Sequence, residues 1–105
     1  MHCVVVRRDI QQQHPWVARS IYEALCDARR LAMERLRDTG AYSAMLPFLP
    51  AAVDEARELF GDEFWPYGLQ QNRAVLEQFS EYAFRQGLTP RPLTIEALFP
   101  PELLL

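Results

Sequence analysis

Apolar positions along this chain change their spacing once, near residue 9. Residues 1–6 read Met-His-Cys-Val-Val-Val, a continuous apolar run rich in β-branched side chains. Such side chains pack well on a pleated sheet, so the run predicts a buried β-strand, with 1–8 as its bounds. From residue 9 onward the period is that of a helix. Pro15 opens a long one, where its missing N–H costs nothing. Val17, Ile21, Leu25, Ala28, Ala32 and Leu36 recur at spacings of three and four and predict one buried stripe. Arg19, Glu23, Asp27, Arg30, Glu34 and Arg37 lie on the opposite face, with opposite charges three and four apart. Gly40 follows as the expected C-cap.

A shorter helical piece is expected around 42–46, stopped by Pro47 and Pro50, and a third helix over 51–60, ended by Gly61. An aromatic loop follows, Asp-Glu-Phe-Trp-Pro-Tyr-Gly over 62–68. The next helix, about 69–86, should bury Leu69, Leu76, Phe79, Ala83 and Tyr82, with Gly87 after it. Thr94 caps a last turn through Phe99, Pro100 and Pro101 stop it, and an apolar tail closes the chain.

The expected fold is therefore mostly α: one N-terminal β-strand and four or five helical segments. A lone strand cannot satisfy its own N–H and C=O groups. A strand feeding a helix is half of a βαβ unit, and the parallel strands that would complete the sheet are missing. Residues 1–105 thus read as a single partial domain (strand 1–8, helical remainder 9–105), the C-terminal part of a larger α/β protein, or as a protomer pairing through that strand.

Composition narrows the partners. Net charge is −3 and no basic cluster exceeds two adjacent arginines, which argues against nucleic acid. No apolar run approaches the roughly 20 residues of a membrane span, so no membrane insertion is expected. No signal peptide is read at the start. Cys3 and Cys26 are too far apart and too few for a disulfide framework or a zinc site, and read as buried free thiols. No metal-ligand cluster, phosphate loop or Gly-x-Ser-x-Gly elbow occurs.

Four residues, His2, Arg8, Trp65 and Tyr67, remain as candidates for chemistry. His2 shares a strand face with Val4 and Val6; it is either a general acid or base at a sheet end, or a histidine exposed by truncation or packed in a core. Of Arg7 and Arg8, either one, with Arg8 the candidate, clamps a carboxylate, or both are solvated or pair with Asp9. Trp65 and Tyr67, in a proline-stiffened loop, either wall an aromatic ligand or seal the gap between helices. Asn72 either caps the following helix or bonds back into that loop.

Five segments are similar, in matching order, to one known family. They are Met-His-Cys-Val-Val-Val-Arg-Arg-Asp (1–9), His-Pro-Trp-Val-Ala-Arg-Ser (14–20), Phe-Trp-Pro-Tyr-Gly-Leu-Gln-Gln-Asn-Arg (64–73), Arg-Gln-Gly-Leu-Thr-Pro-Arg (85–91) and Glu-Ala-Leu-Phe-Pro-Pro-Glu (96–102). The set resembles the C-terminal third of the 4,5-dihydroxyphthalate decarboxylase family, itself similar to ABC-transporter solute-binding proteins of the type 2 periplasmic-binding fold. The resemblance implies a two-lobed α/β protein with a ligand cleft, no obligatory organic cofactor, and conversion of 4,5-dihydroxyphthalate to protocatechuate and carbon dioxide. It makes His2 the expected acid or ligand contact, and a small aromatic carboxylate the expected ligand of the full-length protein.

Three functions follow in order. The first is the tail of a bacterial, cytoplasmic aromatic-acid decarboxylase, with little or no activity alone. The second is the tail of a periplasmic solute receptor. The third is a short helical protein that forms a homodimer through its N-terminal strand. One fold serves the first two, so fold cannot choose between them.

Overall fold

The computed structural model describes residues 2–40 and 44–103. Its order is α1 (Arg8–Gln13), α2 (Val17–Arg37), α3 (Leu49–Phe60), α4 (Leu69–Arg85), α5 (Ile95–Leu98) and a 3-10 turn at Pro101–Leu103. No strand occurs among the described residues, which overturns the expected N-terminal strand and the α/β fold built on it. Residues 2–7 carry no regular structure, and Val4 and Val5 are 63% and 89% exposed. A β-branched run becomes a strand only when a neighbouring ladder takes its backbone groups. Here no neighbour among the described residues does so. Met1, the first residue of that expected strand, lies outside the described residues.

The chain forms two compact units, residues 1–21 with 67–105, and residues 22–66. In the first, α1 begins where the strand was expected to end. Its sequence, Arg-Asp-Ile-Gln-Gln-Gln, has good helix propensity and an acidic first turn but no apolar stripe, so periodicity passes over it. Pro15 ends α1 by pushing His14 to φ −133°. The Val17 N–H then bonds the His14 carbonyl at 3.0 Å as α2 starts.

The core of this unit is Leu69, Leu76 and Ile95, with Phe99 and Leu103 packed against them. Each such buried aliphatic side chain contributes about 1.5–3 kcal/mol relative to exposure. Two polar ties fix α5 over α4. Ser80 Oγ, itself buried, donates to the Leu93 carbonyl at 2.7 Å, and Arg73 Nη2 donates to Glu96 Oε1 at 2.8 Å. α4 ends in a Schellman motif: Gly87 N–H bonds the Phe84 carbonyl at 3.0 Å and Leu88 N–H the Ala83 carbonyl at 2.9 Å. Gly87 takes φ +73°, the left-handed conformation that L side chains avoid. Thr94 stands at the N-cap of α5, but its side chain makes no capping bond.

The Arg73–Glu96 tie makes a pH prediction. The guanidinium hydrogen bond holds the Glu96 carboxyl below its ordinary 4.5, with help from its own backbone N–H. A depressed folded pKa stabilises the native state in full above the ordinary value, and that contribution fades as pH falls through the native one. Carbon-13 titration of the Glu96 side chain should therefore show a midpoint below 4.5, returning toward 4.5 in Arg73→Gln. An ordinary midpoint in the native protein would refute the tie.

In the second unit, Met33 on α2 and Val53 on α3 are buried. α3 starts at Leu49, so Pro50 lies in its first turn rather than stopping a preceding helix. Gly61 ends it as expected, with φ +81° and its N–H on the Arg57 carbonyl at 2.8 Å. The helical piece expected at 42–46 is absent over 44–46, and its first two residues lie outside the described ones, as do the last two of the apolar tail. α2 stops at Arg37 rather than at a Gly40 cap. Asp38 Oδ1 accepts the Gly40 N–H instead, at 2.9 Å.

Two buried faces differ from expectation. On α2, Val17, Ile21 and Leu36 are half-buried as expected, but Leu25, Ala28 and Ala32 are exposed, and Ala18, Tyr22, Cys26, Arg29 and Met33 are covered. In the middle of the helix the stripe is rotated by about 100°, one residue position. Alanines drive burial weakly, whereas Met33 and the stem of Arg29 offer more to cover. On α4, Phe79 and Tyr82 are exposed and Ser80 takes a buried place. No helix among the described residues is long and apolar enough to cross a membrane.

Candidate functional site

The most built feature outside the cores is the loop over 61–66, in the second unit. Three arginines grip it. Arg29, its side chain only 20% exposed, donates from Nη1 to Glu63 Oε2 at 2.6 Å and to the Trp65 carbonyl at 3.2 Å. Arg37 Nη2 donates to the Asp62 carbonyl at 2.8 Å. Arg57 brings Nε and Nη2 each within 2.8 Å of Asp62 Oδ1. Exposed ion pairs are weak singly, but a planar guanidinium holding both a carboxylate and a carbonyl fixes backbone geometry. The result is a clamped backbone from which the Trp65 side chain projects, 64% exposed. A held indole is a stacking surface for a planar ring.

Two shallow grooves accompany these elements. In the second unit, a groove of about 410 Å³ is lined by Asp54, Arg57, Glu58, Gly61 and Asp62. In the first, a groove of about 450 Å³ has Ile95, Phe84 and Pro92 as its apolar lining and Glu77, Glu81, Glu96 and Arg85 among its charged residues. Each is lined by three carboxylates and one arginine, and that arginine is already ion-paired, Arg85 with Glu81 and Arg57 with Asp62. An aromatic dicarboxylate needs cations facing it, which these linings do not offer. Neither groove, by itself, is a seat for such an anion.

The four candidates do not converge on either groove. His2 is exposed in the irregular stretch before α1. Arg8 is the exposed first residue of α1 and has no ion-pair partner among the described residues. Its neighbour Arg7 pairs with Asp9 instead, and this hydrogen bond lowers the Asp9 pKa. Tyr67 is 36% exposed beside Gly68, whose φ of +104° opens α4. Trp65 belongs to the second unit, and the other three to the first. Asn72 bonds back into the loop, its Nδ2 on the Gly68 carbonyl at 2.9 Å.

The clamping arginines escaped the sequence reading. Arg29 was legible in one respect: it falls on the same helical stripe as Cys26 and Met33, where an arginine demands a buried acceptor. Cys26 is half-buried and Cys3 exposed, both free, which corrects the expectation that both are buried. Tyr22 has its pKa raised, first by its hydrogen bond with Cys26 and then by burial. No group of three or more His, Cys, Asp or Glu able to hold a metal ion occurs among the described residues.

Comparison with known proteins gives an informative likeness. Over 101 residues the chain is 36% identical to a 4,5-dihydroxyphthalate decarboxylase from Comamonas testosteroni. The match takes in 96% of this chain and 31% of that protein, so the chain spans about a third of the length of the curated relative it matches. No family model matches the chain.

Proposed function

We propose that this chain is the C-terminal portion of a 4,5-dihydroxyphthalate decarboxylase-like enzyme and does not catalyse the reaction by itself. The observation that carries the reading is the identity sustained over nearly the whole chain to one third of such an enzyme. The polarity of the grooves supports its second half, because a dianionic ring needs cationic groups that neither groove supplies. In this reaction the ring carbon bearing the departing carboxylate takes up a proton. The para hydroxyl donates electron density to that carbon, and the C–C bond electrons return to the ring as carbon dioxide leaves. The product is 3,4-dihydroxybenzoate. Such chemistry needs an acid at the ring carbon and a cation for the carboxylate that stays. His2 and Arg8 are the groups the first unit offers for those roles; Tyr67 in the first unit and Trp65 in the second are the aromatic groups each unit offers as a ligand wall.

The test is a chimaera in which this chain replaces the matching third of the Comamonas enzyme. It should release carbon dioxide from 4,5-dihydroxyphthalate, while the isolated chain should not. A folded chimaera without turnover would overturn the reading.

A further inference from the structure

The surface of α4 divides into three strips. Leu69, Leu76 and Ser80 face the core. A second strip carries the charges, paired along the helix: Arg73 Nη1 with Glu77 Oε1 at 3.0 Å, and Arg85 Nη2 with Glu81 Oε1 at 2.6 Å. The third strip holds no charge. At 3.6 residues per turn, Gln71, Val75, Gln78, Phe79, Tyr82 and Gln86 fall on it together. Val75, Phe79 and Tyr82 are 54%, 67% and 50% exposed. A helix that faces water on two sides places charges on both. Here the charges keep to one side, and the other has the aromatic, charge-depleted make-up of an interface centre.

We infer that this uncharged strip of α4 is the seat against which the remaining two thirds of a longer decarboxylase-like chain packs. The inference rests on the function proposed above. Its first support is area. Aromatic side chains cover about 150–250 Å² when fully buried, so at these exposures the apolar members of the strip, Val75, Phe79 and Tyr82, leave roughly 300 Å² to be covered. A stable dimer buries about 800 Å² per partner. The apolar part of the strip is therefore well short of what a second copy would need, but it suits a contact within one polypeptide, where no translational freedom is lost. Its second support is length: the relative has about two thirds of its chain beyond the match.

Phe79→Glu tests this in two settings. In the isolated chain the side chain is exposed, and the thermal midpoint should be unchanged. In the chimaera with the Comamonas enzyme the same change buries a carboxylate, and the midpoint should fall by about 5 °C or more. Arg85→Gln, on the charged strip, should change neither. An equal response of the two proteins to Phe79→Glu would overturn the inference. So would a chimaera that fails to fold although both parents fold. Self-association of the isolated chain that Phe79→Glu abolishes would give the strip to a second copy and also overturn it. The two proposals fail separately. A folded chimaera without turnover but with the selective midpoint loss defeats only the enzyme reading, and turnover without that loss defeats only the strip.

Discussion

Ile95→Ala should lower the stability of the chain by about 2–5 kcal/mol, more than a truncation at any exposed position. Ile95 is 2% exposed and shares its cluster with Leu69, Leu76, Phe99 and Leu103. Its replacement removes three carbons and opens a void that neighbours on two separate chain segments can only partly fill. The short helix α5 has four residues and no side-chain cap, so packing and the two polar ties to α4 hold it in place. Helices this short have no stability of their own. Small domains have total stabilities of about 5–15 kcal/mol, so the loss is a large share. Urea unfolding followed by circular dichroism should show a lower midpoint. Leu98→Ala is the control: it lies in the same helix but is 50% exposed, and should cost less than about 1 kcal/mol. Equal losses at the two positions would mean that Ile95 does not centre the core.

The helices with strong punctuation were legible in the sequence. α4 and the end of α3 lie where Gly68, Gly87 and Gly61 place them, because positive φ at those glycines is a local requirement. α1 was not legible, since its residues favour a helix by propensity and show no period. The N-terminal stretch was misread for the opposite reason. Three successive valines state a preference that only another strand can satisfy, and sequence cannot report whether that strand is present. The faces of α2 and α4 were misjudged because apolarity was equated with burial. Phe79 and Tyr82 are apolar enough for a core, yet the core of their unit is completed by Ser80 and Ile95. At the candidate site, the loop at 62–68 was visible as a cluster of aromatics. What fixes it was not, because the arginines that hold Asp62, Glu63 and the Trp65 carbonyl come from two other helices.

His2→Gln, made in the active chimaera, should lower kcat by about two to four orders of magnitude, as for removal of a general acid. The argument begins with the reaction rather than with the residue. Carbon dioxide cannot depart until the ring carbon that loses it is protonated, so the acid acts in the step that breaks the bond. Imidazole is the side chain whose ordinary pKa allows it to give and regain a proton near neutrality. This chain has two histidines, and His14 is set at the end of α1 against Trp16, its ring 6.0 Å from the indole. His2 stands exposed in a stretch free of regular structure, where a larger body can approach it. Glutamine keeps a hydrogen-bonding group of similar reach but cannot release a proton, so packing effects are separated from acid catalysis. Arg8→Gln should act differently: a cation on the retained carboxylate holds substrate and transition state alike, so KM should rise while kcat stays near its parent value. Unchanged kcat in His2→Gln would take the proton donor out of this chain and place it in the remainder of the enzyme.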